Sequence, residues 1–302
     1  MTGGVAPDAP FRTSVVALAG RPNVGKSTLV NAICGEHVTI VSARPQTTRR
    51  RVAGVADGDG WQLVLLDLPG FQRPRDGLTD RMQRAVDETL ADVDAALLVL
   101  DATTSVGPGD RFVAAAVASS SVPVVVALNK VDVVPPARIA ARLGEIGELV
   151  EFHAVHPVSA RTGDGVAALR DELVGLAPEG PALYPPGTRS GDPLRLRIAE
   201  LVREQALRLT RQEVPHAVAV VVDELEPGSR HRAARVEATV VCETASQRGI
   251  LVGKGGSMIR DIGTAARPEI ERLLGGQVML DLRVRVERGW RDDPRLLDRL
   301  GP

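Results

Sequence analysis

The sequence predicts an α/β chain in two parts: a mostly parallel sheet with helices on both faces, then a smaller α+β domain. Three observations predict it. Short unbroken apolar runs alternate with helical patterns as far as Leu176, as strands buried on both faces require. Pro178, Gly180, Pro181, Pro185, Pro186, Gly187, Gly191 and Pro193 then crowd one stretch and exclude regular structure from it. Beyond that stretch the strands change character, becoming alternating β-branched runs with helices between them. The division that follows is a leader over 1–10, a first domain over 11–178, a stiff linker over 179–193 and a second domain over 194–302.

The bulk properties bound the function. A chain of 302 residues has room for two real cores. Its net charge of -1 gives no global attraction to nucleic acid, so any such binding needs a local basic face. Cys34 and Cys242 lie far apart, without metal-ligand spacing, and read as apolar core residues of a reducing compartment. No secretory signal and no apolar run of membrane-spanning length is present, so the expected location is the cytoplasm. The basic residues are nearly all arginine, and Lys26, Lys130 and Lys254 are the three lysines. A compact ammonium and a planar guanidinium are not interchangeable, so each lysine marks a candidate ligand contact.

In chain order, Thr13 to Gly20 is a buried strand leading into Gly20-Arg21-Pro22-Asn23-Val24-Gly25-Lys26-Ser27-Thr28 and a helix from Leu29 to Cys34. That is G-x-x-x-x-G-K-S between a strand and a helix, a loop whose N–H groups converge on phosphates. Lys26 is placed for the β- and γ-phosphates and the Ser27 hydroxyl for Mg²⁺. Arg51–Ala56 and Trp61–Asp67 read as a hairpin about Asp57-Gly58-Asp59-Gly60. The second strand ends in Asp67-Leu68-Pro69-Gly70, where the carboxylate can serve Mg²⁺ and the Gly70 N–H a γ-phosphate. Val122–Leu128 is a strand followed by Asn129-Lys130-Val131-Asp132. A carboxylate at Asp132 can accept from both N1–H and the N2 amine of guanine, a donor pair that adenine lacks. Asn129 can tie loops together and the Lys130 stem can cover the base. Val158-Ser159-Ala160 ends the next strand and offers a backbone N–H to guanine O6. Further elements are a strand at Ala95–Leu100 and helices from Pro108, from Pro136 and over Gly163–Leu176.

Together these segments resemble the translation-factor-related (TrmE-Era-EngA-like) P-loop GTPases. The resemblance implies GTP and GDP as ligands with Mg²⁺ as cofactor, and a switch threonine that ligates the metal in the triphosphate state. In Arg44-Pro-Gln-Thr47-Thr48-Arg49 that threonine is Thr48, with Thr47 as the alternative; a plain polar loop is the competing reading. Lys26, Thr48 and Gly70 form the candidate catalytic set. Phe71 occupies the position where many small GTPases carry a water-orienting glutamine, and Gln72 is one residue late. This predicts slow intrinsic hydrolysis. By the same resemblance, Asn23 is a candidate K⁺ ligand.

The last third reads as a helix over Leu194–Leu209, strands over His216–Asp223 and Arg235–Cys242, and a short segment over Ser246–Leu251. Gly253-Lys254-Gly255-Gly256 follows, then a helix from Ser257 to about Leu274 and a strand from Gln277 to Glu287. No hydroxyl follows Lys254 and a helix, not a strand, precedes the loop, so it is not a second nucleotide cradle. The order with its G-x-x-G resembles a type II KH domain, in which such a loop clamps single-stranded RNA. A permissive helix-turn-helix is the plainer alternative. Lys254 is then a phosphate contact, and Ile250, Val252, Met258 and Ile259 line the base groove. Twenty basic against eighteen acidic residues from Glu179 onward give only a modest bias. Scarce aromatics argue against stacking platforms.

One GTPase domain followed by a KH domain, with Gln46-Thr-Thr-Arg49 and the ending Val284-Arg-Val-Glu-Arg-Gly-Trp290-Arg-Asp-Asp, resembles the Era family of bacterial GTPases. That implies a monomeric ribosome-assembly factor binding the 3′ end of 16S rRNA in the 30S subunit, cytoplasmic with some peripheral membrane association. Leu68 stands where relatives usually have threonine. The alternative from a different class is a GTPase switch whose last domain binds a protein or membrane partner in cell-cycle signalling.

Overall fold

A computed structural model describes residues 10–41, 48–70, 76–149, 151–210, 218–229 and 232–300. The chain forms two compact units: residues 1–38, 52–71 and 86–191 in the first, and 39–51, 72–85 and 192–302 in the second.

The first unit carries β1 (Arg12–Ala19), α1 (Lys26–Cys34), β2 (Val52–Gly58), β3 (Trp61–Asp67), β4 (Ala95–Asp101), α3 (Pro108–Ala118), β5 (Val124–Asn129), α4 (Pro136–Gly147), β6 (Ala154–Val158) and α5 (Val166–Leu176). A further helix, α2 (Gly77–Leu90), divides between the units after Ala85. The sheet order is β2-β3-β1-β4-β5-β6, parallel except for the β2–β3 hairpin, which turns at Gly60 with φ +76°. The strands are apolar on both faces because both are covered. Val16, Leu18, Leu63, Leu65, Leu97 and Val99 pack against α1 and α5. Their neighbours Ala17, Ala19, Val64, Leu66, Ala96 and Leu98 pack against α3, α4 and the end of α2.

The Pro- and Gly-rich stretch does not run free: through Gly191 it is laid along this unit. Gly180 N–H donates to Phe11 O (3.0 Å), Val55 N–H to Arg189 O (2.9 Å) and Gly191 N–H to Ala53 O (2.9 Å). Gln62 Oε1 accepts from the amides of Leu183 (2.8 Å) and Tyr184 (2.9 Å). The run thereby shields the outer edge of β2, where prolines cost no ladder bonds.

The second unit contains α6 (Leu194–Leu209), β7 (Ala219–Glu226), β8 (Ala234–Cys242), α7 (Ala245–Val252), α8 (Ser257–Leu274), β9 (Val278–Val286) and α9 (Pro294–Arg299). Its sheet order is β7-β8-β9, with β8 antiparallel to β7 and parallel to β9. α6 and α8 cover one face through Ile198, Val202, Ile262, Ala266 and Ile270. On the other face Ala219, Val221 and Val241 meet Trp290, Leu296 and Leu297 together with Leu78 and Met82 of α2. Val41, Arg49 and Arg50 are held here too. Val41 N–H donates to Glu204 (3.0 Å), Arg49 to Val218 O (2.6 Å), and Arg50 pairs with Asp192 at 3.0 Å.

Cys34 and Cys242 are both buried free thiols, and burial pushes the Cys34 thiol up to about 12.

Candidate nucleotide and RNA sites

The phosphate loop begins where β1 runs out. Gly25 caps α1 with φ +102°, and a Cβ there would come within 2.1 Å of Asn129 Nδ2, so only glycine fits. Asn23 also has positive φ (+66°), which asparagine tolerates better than most side chains. Lys26 is 6% exposed and folds back on the loop, donating to Gly20 O (3.0 Å) and Arg21 O (3.2 Å). Burial pushes its ammonium below the ordinary lysine value, against the pull of Asp67. An anion on the loop would reverse that.

Ser27 Oγ donates to Asp67 Oδ2 at 2.6 Å, and Asp67 is fully buried. Two hard oxygen ligands side by side at the end of a phosphate loop suit Mg²⁺. Leu68 is buried, Pro69 likewise, and a Cβ on Gly70 would come within 2.9 Å of Pro22. The two loops therefore pack closely through residues with small or fixed side chains.

Asn129 joins three segments. Its Nδ2 donates to Val24 O (2.8 Å) and its Oδ1 accepts from Ala160 N–H (3.0 Å), all in the buried interior. Lys130, with φ +68°, donates to Asn23 O (2.7 Å) and Asp101 Oδ2 (2.6 Å). Asp132 accepts from Ser159 Oγ (2.7 Å) and Arg161 Nε (3.0 Å), and those bonds hold its carboxyl below the usual range. The geometry thus brings Gly20, Arg21, Pro22, Asn23, Val24, Gly25, Lys26, Ser27, Thr28, Asp67, Leu68, Pro69, Gly70, Asn129, Lys130, Asp132, Ser159 and Ala160 into one unit. Thr48 is half-buried and belongs to the segment counted in the second unit. Thr47, Phe71 and Gln72 lie outside the described residues.

Sequence reasoning missed three residues here. Asp110 of α3 takes Arg21 of the loop, Asp101 of β4 takes Lys130, and Arg161 covers the Asp132 carboxylate. Asp101 had a signal, since it ends a buried strand as Asp67 does.

In the second unit the G-x-x-G joins α7 to α8. Thr244 and Gln247 form a capping box that starts α7. Gly253 (φ +72°) has no room for a Cβ, which would meet Met258 N at 2.7 Å and Ser257 Oγ at 2.9 Å. Gly255 and Gly256 take φ +58° and +78°, and at both a Cβ would point into open space. Lys254 and Ile250 are exposed, Val252 is half-buried, and Met258 and Ile259 are half-buried against the core. An apolar floor with a backbone turn above it can receive a base and its phosphate.

Residues 15–130 match the family model described as 50S ribosome-binding GTPase, and residues 213–291 match the KH domain. GTPase Era of Mycobacterium bovis (strain BCG / Pasteur 1173P2) and of Mycobacterium tuberculosis (strain H37Rv) are each 46% identical over 296 residues, covering 96% of this chain and 99% of theirs. Mycobacterium avium GTPase Era is 45% identical over 295 residues, with the same coverage. A crystal structure of Era with MgGDPNP and nucleotides 1506–1542 of 16S ribosomal RNA has a TM-score of 0.92 at 34% identity, covering 96% of this chain and 99% of that one. An Aquifex aeolicus Era variant bound to GDP·AlF4⁻ gives the same values. With the nucleotide loops and the glycine clamp both in place and kinship running nearly end to end, this chain belongs to the Era family of GTPases.

Proposed function

We propose that this chain hydrolyses GTP, binds the 3′ end of 16S rRNA through its second unit, and acts in maturation of the 30S ribosomal subunit. One observation carries the reading. A guanine-nucleotide site knotted at Asn129 shares a chain with a KH-type glycine clamp, in a family whose member was captured with both a GTP analogue and that RNA.

The residues divide the work. Lys26 would leave Gly20 O and Arg21 O for the β- and γ-phosphates. Ser27, Asp67 and Thr48 would hold Mg²⁺, which when bound neutralises charge on the phosphates. The Gly70 N–H would receive a γ-phosphate oxygen. Asp132 would read guanine, taking the base in place of Arg161. Asn23 would hold K⁺ in the role an arginine finger has elsewhere; equal hydrolysis rates in K⁺ and Na⁺ would remove that part. Lys254 and the amides of Gly253, Gly255 and Gly256 would hold the RNA backbone over Ile250, Val252, Met258 and Ile259. The chain works as a cytoplasmic monomer in this reading, with peripheral attachment at the inner membrane face, which vesicle flotation tests. Among the described residues no helix is long and apolar enough to cross a membrane.

The test is RNA pull-down with sequencing in the GDP and GTP-analogue states. Gly253→Asp and Lys254→Glu are expected to abolish capture of the 16S 3′ end while leaving the GTPase rate intact. If the wild-type chain captures no RNA in either state, the switch with a protein or membrane partner replaces this reading.

A further inference from the structure

Lys130 is fastened at the tip of its side chain. The ammonium donates to Asn23 O of the phosphate loop (2.7 Å) and to Asp101 Oδ2 at the end of β4 (2.6 Å). All three residues belong to the first unit. Lys130 also turns the chain out of β5 in the left-handed region (φ +68°), which a lysine enters only at a cost. A compact ammonium with three rotatable donors suits two oxygens that lie on different loops.

Asp101 is built to receive it. β4 and β5 run side by side to their ends, with Asp101 opposite Asn129 and the Ala102 N–H donating to Asn129 O (2.9 Å). The Asp101 side chain is only 12% exposed, and its first oxygen is already engaged. Oδ1 accepts from the Thr103 N–H (2.8 Å) and the Thr103 hydroxyl (2.6 Å). That local turn leaves the second oxygen for Lys130. Burial works against the charge, yet the bonds from Lys130 and Thr103 hold the carboxyl below its usual range. The two oxygens have separate tasks, one in the turn after β4 and one on the lysine.

We propose that Asp101 is a positioning residue for guanine binding: it fixes the Lys130 ammonium against Asn23 O, and so sets the stem that is to cover the base. The proposal rests on the guanine reading of Asn129, Lys130 and Asp132 above. Without the carboxylate the ammonium keeps only a carbonyl partner and the stem samples other rotamers. Each nucleotide must then order that stem at the expense of its own binding. Asp101 acts through Lys130, not on the ligand.

The experiment measures GDP affinity and GDP release on the full chain with a fluorescent nucleotide, and a thermal midpoint shows that each variant is folded. The set is wild type, Asp101→Asn, Asp101→Ser, Lys130→Met, and Asp101→Asn combined with Lys130→Met. Asparagine keeps an oxygen for the Thr103 turn but turns an amide toward the ammonium, donor against donor. Serine keeps an acceptor for the Thr103 N–H and is too short for the lysine. Each should weaken GDP about fivefold and speed its release, the size expected for a partly exposed charge pair. With Lys130→Met in place, Asp101→Asn should change GDP affinity by less than about twofold, because the group it acts through is gone. Asp101→Ser takes its place in the cycle should Asp101→Asn fail to fold. A merely structural role for Asp101 would multiply the two losses, and that result overturns the proposal. So does GDP binding in the Asp101 variants that is as tight as in wild type, or tighter. A wild-type chain that binds no GDP refutes the guanine reading instead.

Discussion

Arg21 gives the sharpest test of how the phosphate loop is held. Its Nε donates to Asp110 Oδ1 at 2.7 Å and its Nη2 to Thr104 Oγ1 at 3.2 Å. Asp110 is 3% exposed and spends its other oxygen on the Gly107 N–H (2.9 Å) at the start of α3. Gly109 makes room for the arginine, since a Cβ there would come within 2.6 Å of Arg21 Cδ. The Arg21 side chain keeps 33% exposure, so the pair falls between an exposed bridge at about 0–1 kcal/mol and a buried one whose breaking costs about 3–5 kcal/mol. Arg21→Ala should cost about 1.5 kcal/mol, because Asp110 retains its cap bond. Asp110→Ala loses that cap as well and should cost about 2.5 kcal/mol. In the double variant the pair is lost only once, so its cost should fall about 1.5 kcal/mol short of the sum. Since the Arg21 carbonyl is also a partner of Lys26, GDP affinity should fall by about tenfold in either single variant. Urea unfolding of the four proteins gives the cycle, and fluorescent-GDP titration gives the affinity. Single costs that simply add to the double, within about 0.3 kcal/mol, would refute the clasp.

Other predictions concern residues within the nucleotide site and beside it. Lys26 has a folded pKa below its unfolded value, so the unfolded chain binds more protons between the two. The stability of the nucleotide-free protein should therefore rise with pH from the folded value up to about 10.4, and Lys26→Met should abolish that rise; thermal midpoints across pH 7–10.5 read it. Asp132→Asn keeps one acceptor and loses the charge-assisted pair, so GTP should bind about a hundredfold more weakly. Xanthosine triphosphate, with a carbonyl in place of the N2 amine, should gain on it in a competition titration. Gln72→Ala should leave single-turnover hydrolysis within about threefold of wild type, since a glutamine one residue late is not expected to orient the water.

Much of this was legible because the signals were local. The strand before Gly20, the hydroxyl after Lys26 and the turn before Trp61 each need only neighbouring residues. α2 was not read from the sequence, although Leu78, Met82, Val86 and Leu90 repeat at helical spacing. Its charged surroundings hid that stripe, and part of its cap comes from Asp292, which no local window contains. The same reason covers Arg21 with Asp110 and Asp132 with Arg161: side chains remote in sequence or pointing across a loop leave no periodic trace. The stretch from Glu179 to Gly191 misleads in a different way. Its composition forbids a regular strand, yet backbone bonds from Val55, Gly180 and Gly191 still bind it to the sheet edge.

The chain's two lysine-bearing glycine loops answer to different physical demands. In the first, the protein itself crowds the glycines: Asn129 stands 2.1 Å from a Cβ on Gly25, and Val99 O stands 2.6 Å from one on Gly20. That loop is closed onto its own walls, and Lys26 is buried with it. In the second, only Gly253 is crowded. Gly255 and Gly256 face open space, Lys254 is exposed, and their glycines answer to backbone dihedral angles alone. A side chain there would meet no protein atom, but on the proposed reading it would occupy the volume the RNA backbone needs. Alanine at Gly255 or Gly256 should thus weaken RNA more than it weakens the fold, whereas alanine at Gly25 should injure the nucleotide site and the fold together. On the proposed reading, the buried cradle would enclose a small ligand and the open clamp would hold a strand that passes by.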